Sequence, residues 1–226
     1  MKVVIDAKPW LVEPALLPLP WTPYQVDNAT AGRPLKIAIM FHDQVVLPHP
    51  PITRTLETMA SRLKDLANVC VSRWEPYQHQ KAWSIISSLY YPDGGDEDAP
   101  LLEQAGEPML PLTRWIREGS WVRKLTVAEL QHWKSEREAY RSEYARLWNE
   151  AGVDAILCPA GPGLAPTHET ARYWGYTSQW NLLDYPAIVF PVGMADAQID
   201  RKQRALDLMA SDDKYNWKLC KQSPPP

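Results

Sequence analysis

The sequence predicts an α/β fold, and three neighbouring patterns carry that prediction. Leu35 to Met40 (LKIAIM) is a short, nearly all-apolar run of the kind expected for a strand covered on both faces. After the proline-rich FHDQVVLPHPP, Pro51 suits a first helical position. Ile52, Leu56, Met59, Leu63 and Leu66 then recur at spacings of three or four, the period of an amphipathic helix. Val69 to Trp74 (VCVSRW) reads as a second strand, so the three segments form a β-α-β unit with parallel strands and a right-handed crossover.

The remaining elements follow in chain order. Residues 1–34 carry Pro9, Pro14, Pro18, Pro20 and Pro23 with no helical or alternating period, which predicts an extended Pro/Trp-rich arm, because proline fixes its own φ and pushes its predecessor toward extended backbone. From Gln78 to Tyr91 a weaker helical pattern runs up to Pro92, and the acidic PDGGDEDAP reads as a solvated turn. The strongest helix signal starts at Thr126. Thr126-Val127-Ala128-Glu129 is a capping box, in which hydroxyl and carboxylate each satisfy an orphaned backbone donor. Leu130, Trp133, Tyr140, Tyr144, Leu147 and Trp148 mark the apolar face that follows, and Gly152 supplies the stop. Asp154 to Cys158 is predicted as a buried strand, CPAGPGLAPTHE as a proline-rich loop, Trp174 to Leu183 as a short helix and Ala187 to Val192 as a final strand. The expected organisation is an arm (1–34), an α/β body (35–193) and an irregular tail (194–226).

Composition narrows the function classes. Twenty-four basic residues against 27 acidic ones leave a net charge of -3, which provides no field to hold a polyanion, so no nucleic-acid partner is expected. The dense basic cluster Arg201-Lys202-Gln203-Arg204 is bracketed by Asp200 and Asp207. Three cysteines, odd in number and without CxxC spacing, suggest neither a disulfide framework nor a zinc site. No apolar run approaches the length needed to span a bilayer and the start lacks a signal-peptide core, so a cytoplasmic protein is expected.

Open α/β sheets place ligands beyond the strands' carboxyl ends, so the loops after Met40, Trp74, Cys158 and Val192 are the candidate sites. Cys158 with His168 and Asp154 is the tempting nucleophilic set. However, Asp154 and Cys158 sit four residues apart on one strand, roughly 13 Å at about 3.3 Å per residue, too far to serve one imidazole. Gly161 and Gly163 follow a strand, but neither GxGxxG nor GxxxxGK[ST] is present. His42, Asp43 and His49 read as a hydrogen-bonded loop rather than a metal cluster. PDGGDEDAP lacks the ligand order of a calcium loop, and Ser87-Ser88 read as plain helical residues. No metal and no cofactor are expected.

The blocks LKIAIMFHDQVVLPHPPITRTL, DAILCPAGPGLAPTH and YWGYTSQWNLLDYPAIVFPVG, in this order, resemble the amidase signature family, with the fungal acetamidase-like (general amidase) branch nearest. The arm PWLVEPALLPLPW looks like that branch's linker, and the resemblance spans about residues 1–217. It implies an α/β/α sandwich with a mixed sheet, present in part. It also implies hydrolysis of small carboxamides to carboxylate and ammonia through a Ser nucleophile, a second Ser and a Lys base in a long Gly/Ser-rich region. That region has no counterpart here, so no catalytic residue is carried over, and the chain is expected to be a fragment that is inactive alone. The alternative is a noncatalytic remnant or a small-ligand or partner-binding module. The helix similar to GYTSQWNLLDYP lines the acyl pocket in family members, which implies that Thr177 and Trp180 would face substrate and Asn181 would fix the helix against its loop. Unpaired sheet edges and apolar faces are expected to favour self-association.

Overall fold

The structure is a computed structural model that describes residues 2–23, 32–200 and 210–220. The basic cluster at 201–204 lies outside the described residues. The chain divides into two compact units, Met1–Leu35 and Lys36–Pro226. In the first, Lys2–Asp6 form a short helix (α1), and Pro9–Leu11 add one turn of 3-10 helix. The arm is therefore not continuously extended. A Lys2–Asp6 ion pair one helical turn apart supports α1, and Lys8 reverses the chain from the left-handed region at φ 54°.

The second unit is built on three strands, Leu35–Ile39 (β1), Val69–Arg73 (β2) and Ala155–Leu157 (β3), in the order β2-β1-β3. β1 pairs in parallel with β3, with Ile37 opposite Ala155 and Ile39 opposite Leu157. The crossover between β1 and β2 contains the helix Pro50–Lys64 (α2), with His49 as its N-cap; it starts one residue before Pro51 and stops two residues before Leu66. Burial in β1 is confined to its carboxyl half, where Ala38, Ile39 and the following Met40 are inaccessible. The sequence pattern, apolar but for Lys36, does not mark the carboxyl half as the buried one.

Past β2, the helix His79–Tyr90 (α3) packs against both the 25-residue helix Val127–Ala151 (α6) and the helix Gly175–Leu183 (α7). Between α3 and α6 lie two helices that the sequence pattern did not indicate, Asp98–Ala105 (α4) and Pro111–Arg117 (α5). The acidic loop before α4 is organised by its own backbone. The Asp93 carboxylate accepts the Gly95 and Glu97 amides, and Asp96 pairs with Lys124. The capping box of α6 forms as the sequence predicts: the Glu129 amide donates to Thr126 Oγ1 at 3.2 Å, and the Thr126 amide to Glu129 Oε2 at 2.8 Å. Gly152 closes α6 at φ 61°.

The core joins Trp74, Ile85, Tyr140, Tyr144 and Leu182, so the aromatic face of α6 meets α3, α7 and the end of β2. Two expectations are corrected. Ala187 to Val192 is not a strand; it carries no regular secondary structure, and Ile188, Val189 and Phe190 are exposed. A strand needs a hydrogen-bonding neighbour, and none of the described residues supplies one. The stretch expected to be irregular after residue 193 contains the helix Ser211–Leu219 (α8), with Asp213 and Asn216 buried.

Candidate functional site

Helix α7 has two unlike faces. Tyr176, Gln179, Leu182 and Leu183 are buried against the body, whereas Thr177, Trp180 and Asn181, at the i, i+3 and i+4 positions of a single face, point into an open cleft. The cleft encloses about 510 Å³. Its opposite wall is α2, through Ile52, Thr55 and Met59, and its floor is the end of β3, through Leu157 and Cys158. The segment from Ala187 to Ala195 runs along the remaining side. Apolar groups dominate the lining, and polar groups enter at Thr55, Thr177 and Asn181. Thr177 Oγ1 donates to the Trp174 carbonyl at 3.1 Å, which leaves its oxygen able to accept a hydrogen bond.

Thr177, Ala160 and Leu164 also border a smaller cavity of about 280 Å³, lined by His49, Gly161, Gly163, Tyr173 and Asn216. Here the loop Pro159–Pro166 crosses directly over the His49 ring. A Cβ on Gly163 would meet His49 Cε1 at 2.7 Å, so the close approach requires glycine there. The Pro162 carbonyl accepts the His49 amide, and His49 Nε2 donates to the Asn216 carbonyl at 2.8 Å.

The loop after β1 rests on a buried carboxylate. Asp43 Oδ1 accepts the Val45 and Val46 amides at 2.9 Å each, and the Tyr173 hydroxyl donates to Oδ2. The Tyr176 hydroxyl in turn donates to the Val46 carbonyl at 2.6 Å and accepts the Asp43 amide. Burial pushes the Asp43 carboxyl up from its ordinary value, opposed chiefly by the Tyr173 hydrogen bond and then by the two loop amides. A second carboxylate, Asp213 of α8, takes the Leu47 amide at 2.9 Å. Loop 41–49 is therefore held from below by Tyr173 and Tyr176 and from the side by α8. Local sequence signals only the Asx turn at Asp43; the tyrosines come from 130 residues away.

The other sequence candidates are structural. Burial pushes the Cys158 thiol up to about 11, so it is protonated at neutral pH and no nucleophile. Asp154 Oδ2 accepts the Lys36 amide at 2.8 Å and so closes the end of the β1–β3 pairing. Ser87 and Ser88 both return their hydroxyls to the Ser84 carbonyl, at 3.4 and 2.8 Å. Among the described residues, no group of three or more His, Cys, Asp or Glu is placed to hold a metal ion, and no helix is long and apolar enough to cross a membrane.

A family model described as amidase matches residues 1–213. The chain belongs to the amidase family. An amidase-family protein of Schizosaccharomyces pombe is 37% identical over 217 residues, which cover 96% of this chain and 40% of that protein. The acetamidase of Emericella nidulans is 31% identical over 221 residues, 94% of this chain and 40% of that one. The fold is of the amidase type: the solved structure of fatty acid amide hydrolase matches with a TM-score of 0.85 at 27% identity, over 95% of this chain and 38% of that one. The chain thus spans about 40% of the length of these relatives.

Proposed function

We propose that this chain supplies the acyl-binding wall of an amidase that hydrolyses carboxamides to carboxylate and ammonia, and that the Ser, Ser and Lys groups of the hydrolysis lie outside its 226 residues. The observation that carries this reading is the convergence of Thr177, Trp180 and Asn181 on one cleft at the carboxyl end of β3, where α/β sheets bind ligands. In this reading the apolar walls take the acyl chain, Trp180 forms its long side, and the Asn181 and Thr177 side chains orient the amide. Free Cys70 and Cys158 thiols support a cytoplasmic setting.

Calorimetric titration of the purified chain with acetamide and hexanamide tests the reading. Each buried methylene contributes about 0.8 kcal/mol, so hexanamide is expected to bind well ahead of acetamide, and Trp180→Ala to abolish the difference. Ammonia release is expected at the rate of buffer. Absence of any carboxamide binding overturns the pocket assignment, and release well above buffer overturns the placement of the hydrolytic groups. A noncatalytic ligand-binding module would share the cleft but would support no hydrolysis even when combined with a complementing amidase segment.

A further inference from the structure

The smaller cavity, of about 280 Å³, lies beside the cleft, and Ala160, Leu164 and Thr177 border both. Its wall is apolar at Leu164, Ala171 and Leu219 and aromatic at Trp174. At about 30 Å³ for each water-sized group it holds roughly nine of them. That is too little room for a whole ligand and enough for one substituted ring.

The side-chain donors on this wall are all committed. The Tyr173 hydroxyl donates to Asp43, Trp174 Nε1 to the Ala171 carbonyl at 2.8 Å, and Thr177 Oγ1 to the Trp174 carbonyl at 3.1 Å. His49 Nε2 donates to the Asn216 carbonyl, and the Thr167 hydroxyl is paired with that of Thr170. Asn216 itself is 5% exposed, and its Nδ2 donates to the Asp212 carbonyl one helical turn back at 2.8 Å, a bond that fixes which end of the side-chain amide is nitrogen. The other end, Oδ1, accepts no hydrogen bond from a described residue. A buried acceptor left in this state calls for a donor. Thr177 Oγ1 keeps acceptor capacity on the same wall. Among the described residues that line the cavity there is no Asp, Glu, Lys or Arg, so a neutral donor suits it and a cation, which nothing there pairs, does not.

We propose that this cavity is a second acyl subsite, which takes a ring bearing a hydroxyl group, and that Asn216 Oδ1 accepts the hydrogen bond of that hydroxyl. The carboxamide stays at Thr177 and Asn181. An alkyl acyl group turns into the cleft, whereas a hydroxyaryl group passes Thr177 on its other side and enters the cavity. Asn216 is then a specificity-determining residue that separates two classes of carboxamide. This inference rests on the reading that Thr177 orients a carboxamide.

The test is calorimetric titration of the full chain with hexanamide, phenylpropanamide and the para-hydroxy derivative of phenylpropanamide. The hydrogen bond to Asn216 is expected to favour the hydroxylated ring about fivefold over the bare one, and Asn216→Leu to bring that ratio below about twofold. Ala171→Leu, which fills the cavity, is expected to weaken both aryl amides about tenfold. Hexanamide is expected to bind both variants as it binds the wild type. In nuclear Overhauser spectra of the wild type, the hydroxylated ring is expected to contact the His49 ring and the Gly163 α-protons, which line the cavity alone. Equal affinity for the two aryl amides overturns the subsite, as does a preference that survives Asn216→Leu, or ring contacts to Trp180 and Phe190 only. Where Asn216→Leu loses hexanamide as well, Ala171→Leu and the wild-type contacts decide in its place. The amide-free probe para-cresol separates this inference from the reading beneath it. His49 contacts from para-cresol without any carboxamide binding keep the subsite and reject the amide site, whereas hexanamide binding with no His49 contact from either phenol rejects the subsite alone.

Discussion

His79 makes acid sensitivity a quantitative expectation. It opens α3, is 4% exposed, and neither ring nitrogen has a hydrogen-bond partner among the described residues. Burial first, and the nearby His42 second, lower its pKa from 6.5 to about 4. Between those values the unfolded chain binds a proton that the native chain refuses. The contribution of neutral His79 is therefore fully present above pH 6.5 and is lost as pH falls toward 4. Shifting from about pH 7 to about pH 4.5 is expected to remove roughly 2.5 kcal/mol through this one residue, from a folded pKa of about 4 and an ordinary value of 6.5. Asp43 works in the opposite sense, because its raised pKa lets the native state take up a proton first as pH falls. Urea unfolding of the wild type and of His79→Leu at the two pH values, followed by circular dichroism, isolates the term. His79→Leu is expected to lose most of the pH dependence and to be no less stable at neutral pH, since it removes two unpartnered buried nitrogens. An imidazole titrating near its ordinary value in native-state NMR, or an unchanged pH dependence in His79→Leu, would refute the reasoning.

Other substitutions probe the scaffold of the site. Gly163→Ala forces a methyl group into the His49 ring and is expected to cost about 1–3 kcal/mol in chemical denaturation, with a shift in the His49 ring resonances. Asp43→Ala strands the Val45 and Val46 amides in a buried loop, an expected loss of about 1–3 kcal/mol; Tyr173→Phe, which leaves those amides satisfied, is expected to cost less. Thr126→Ala removes the capping box and is expected to destabilise by about 1 kcal/mol in thermal unfolding. Arg54→Ala unfastens Asp200 and the Met194 carbonyl, and limited proteolysis is expected to cut faster between residues 186 and 200 without a change in the core.

How much of this was legible in the sequence depended on whether the determinants were local. The strands at 35, 69 and 155 and the helices α2, α3, α6 and α7 follow from apolar period, proline placement and the Thr126 cap, all short-range signals. The face of α2 carrying Ile52 and Met59 was legible as apolar, but not that it walls a cleft instead of filling the core. Helix α4 was not legible because it is a short, largely exposed segment between Gly95 and Gly106, and α5 because its Trp115 packs on the distant Trp174. Thr177, Trp180 and Asn181 came together on one cleft because helical geometry guarantees a shared face. The buried Asp43–Tyr173–Tyr176 group was invisible, since the residues meet only after β1, its loop and α7 have assembled. The segment after Pro186 misled for the complementary reason: an apolar, β-prone run describes a strand's sequence, and only a neighbour makes it one.

Trp83, Trp121, Trp115 and Trp174 form a closed circuit of edge-to-face rings, with successive centroids 5.6, 6.0, 5.7 and 6.5 Å apart. Each contact sets a positive rim against an electron-rich face. Transition dipoles at such separations couple, so the ring acts as one chromophore with a collective near-ultraviolet signature and fast excitation transfer among its members. Since Trp174 stands at the entrance to α7 and Trp115 belongs to α5, that optical signal reports whether the cleft-bearing helix is seated, in a single glance of a spectrometer and with no label attached.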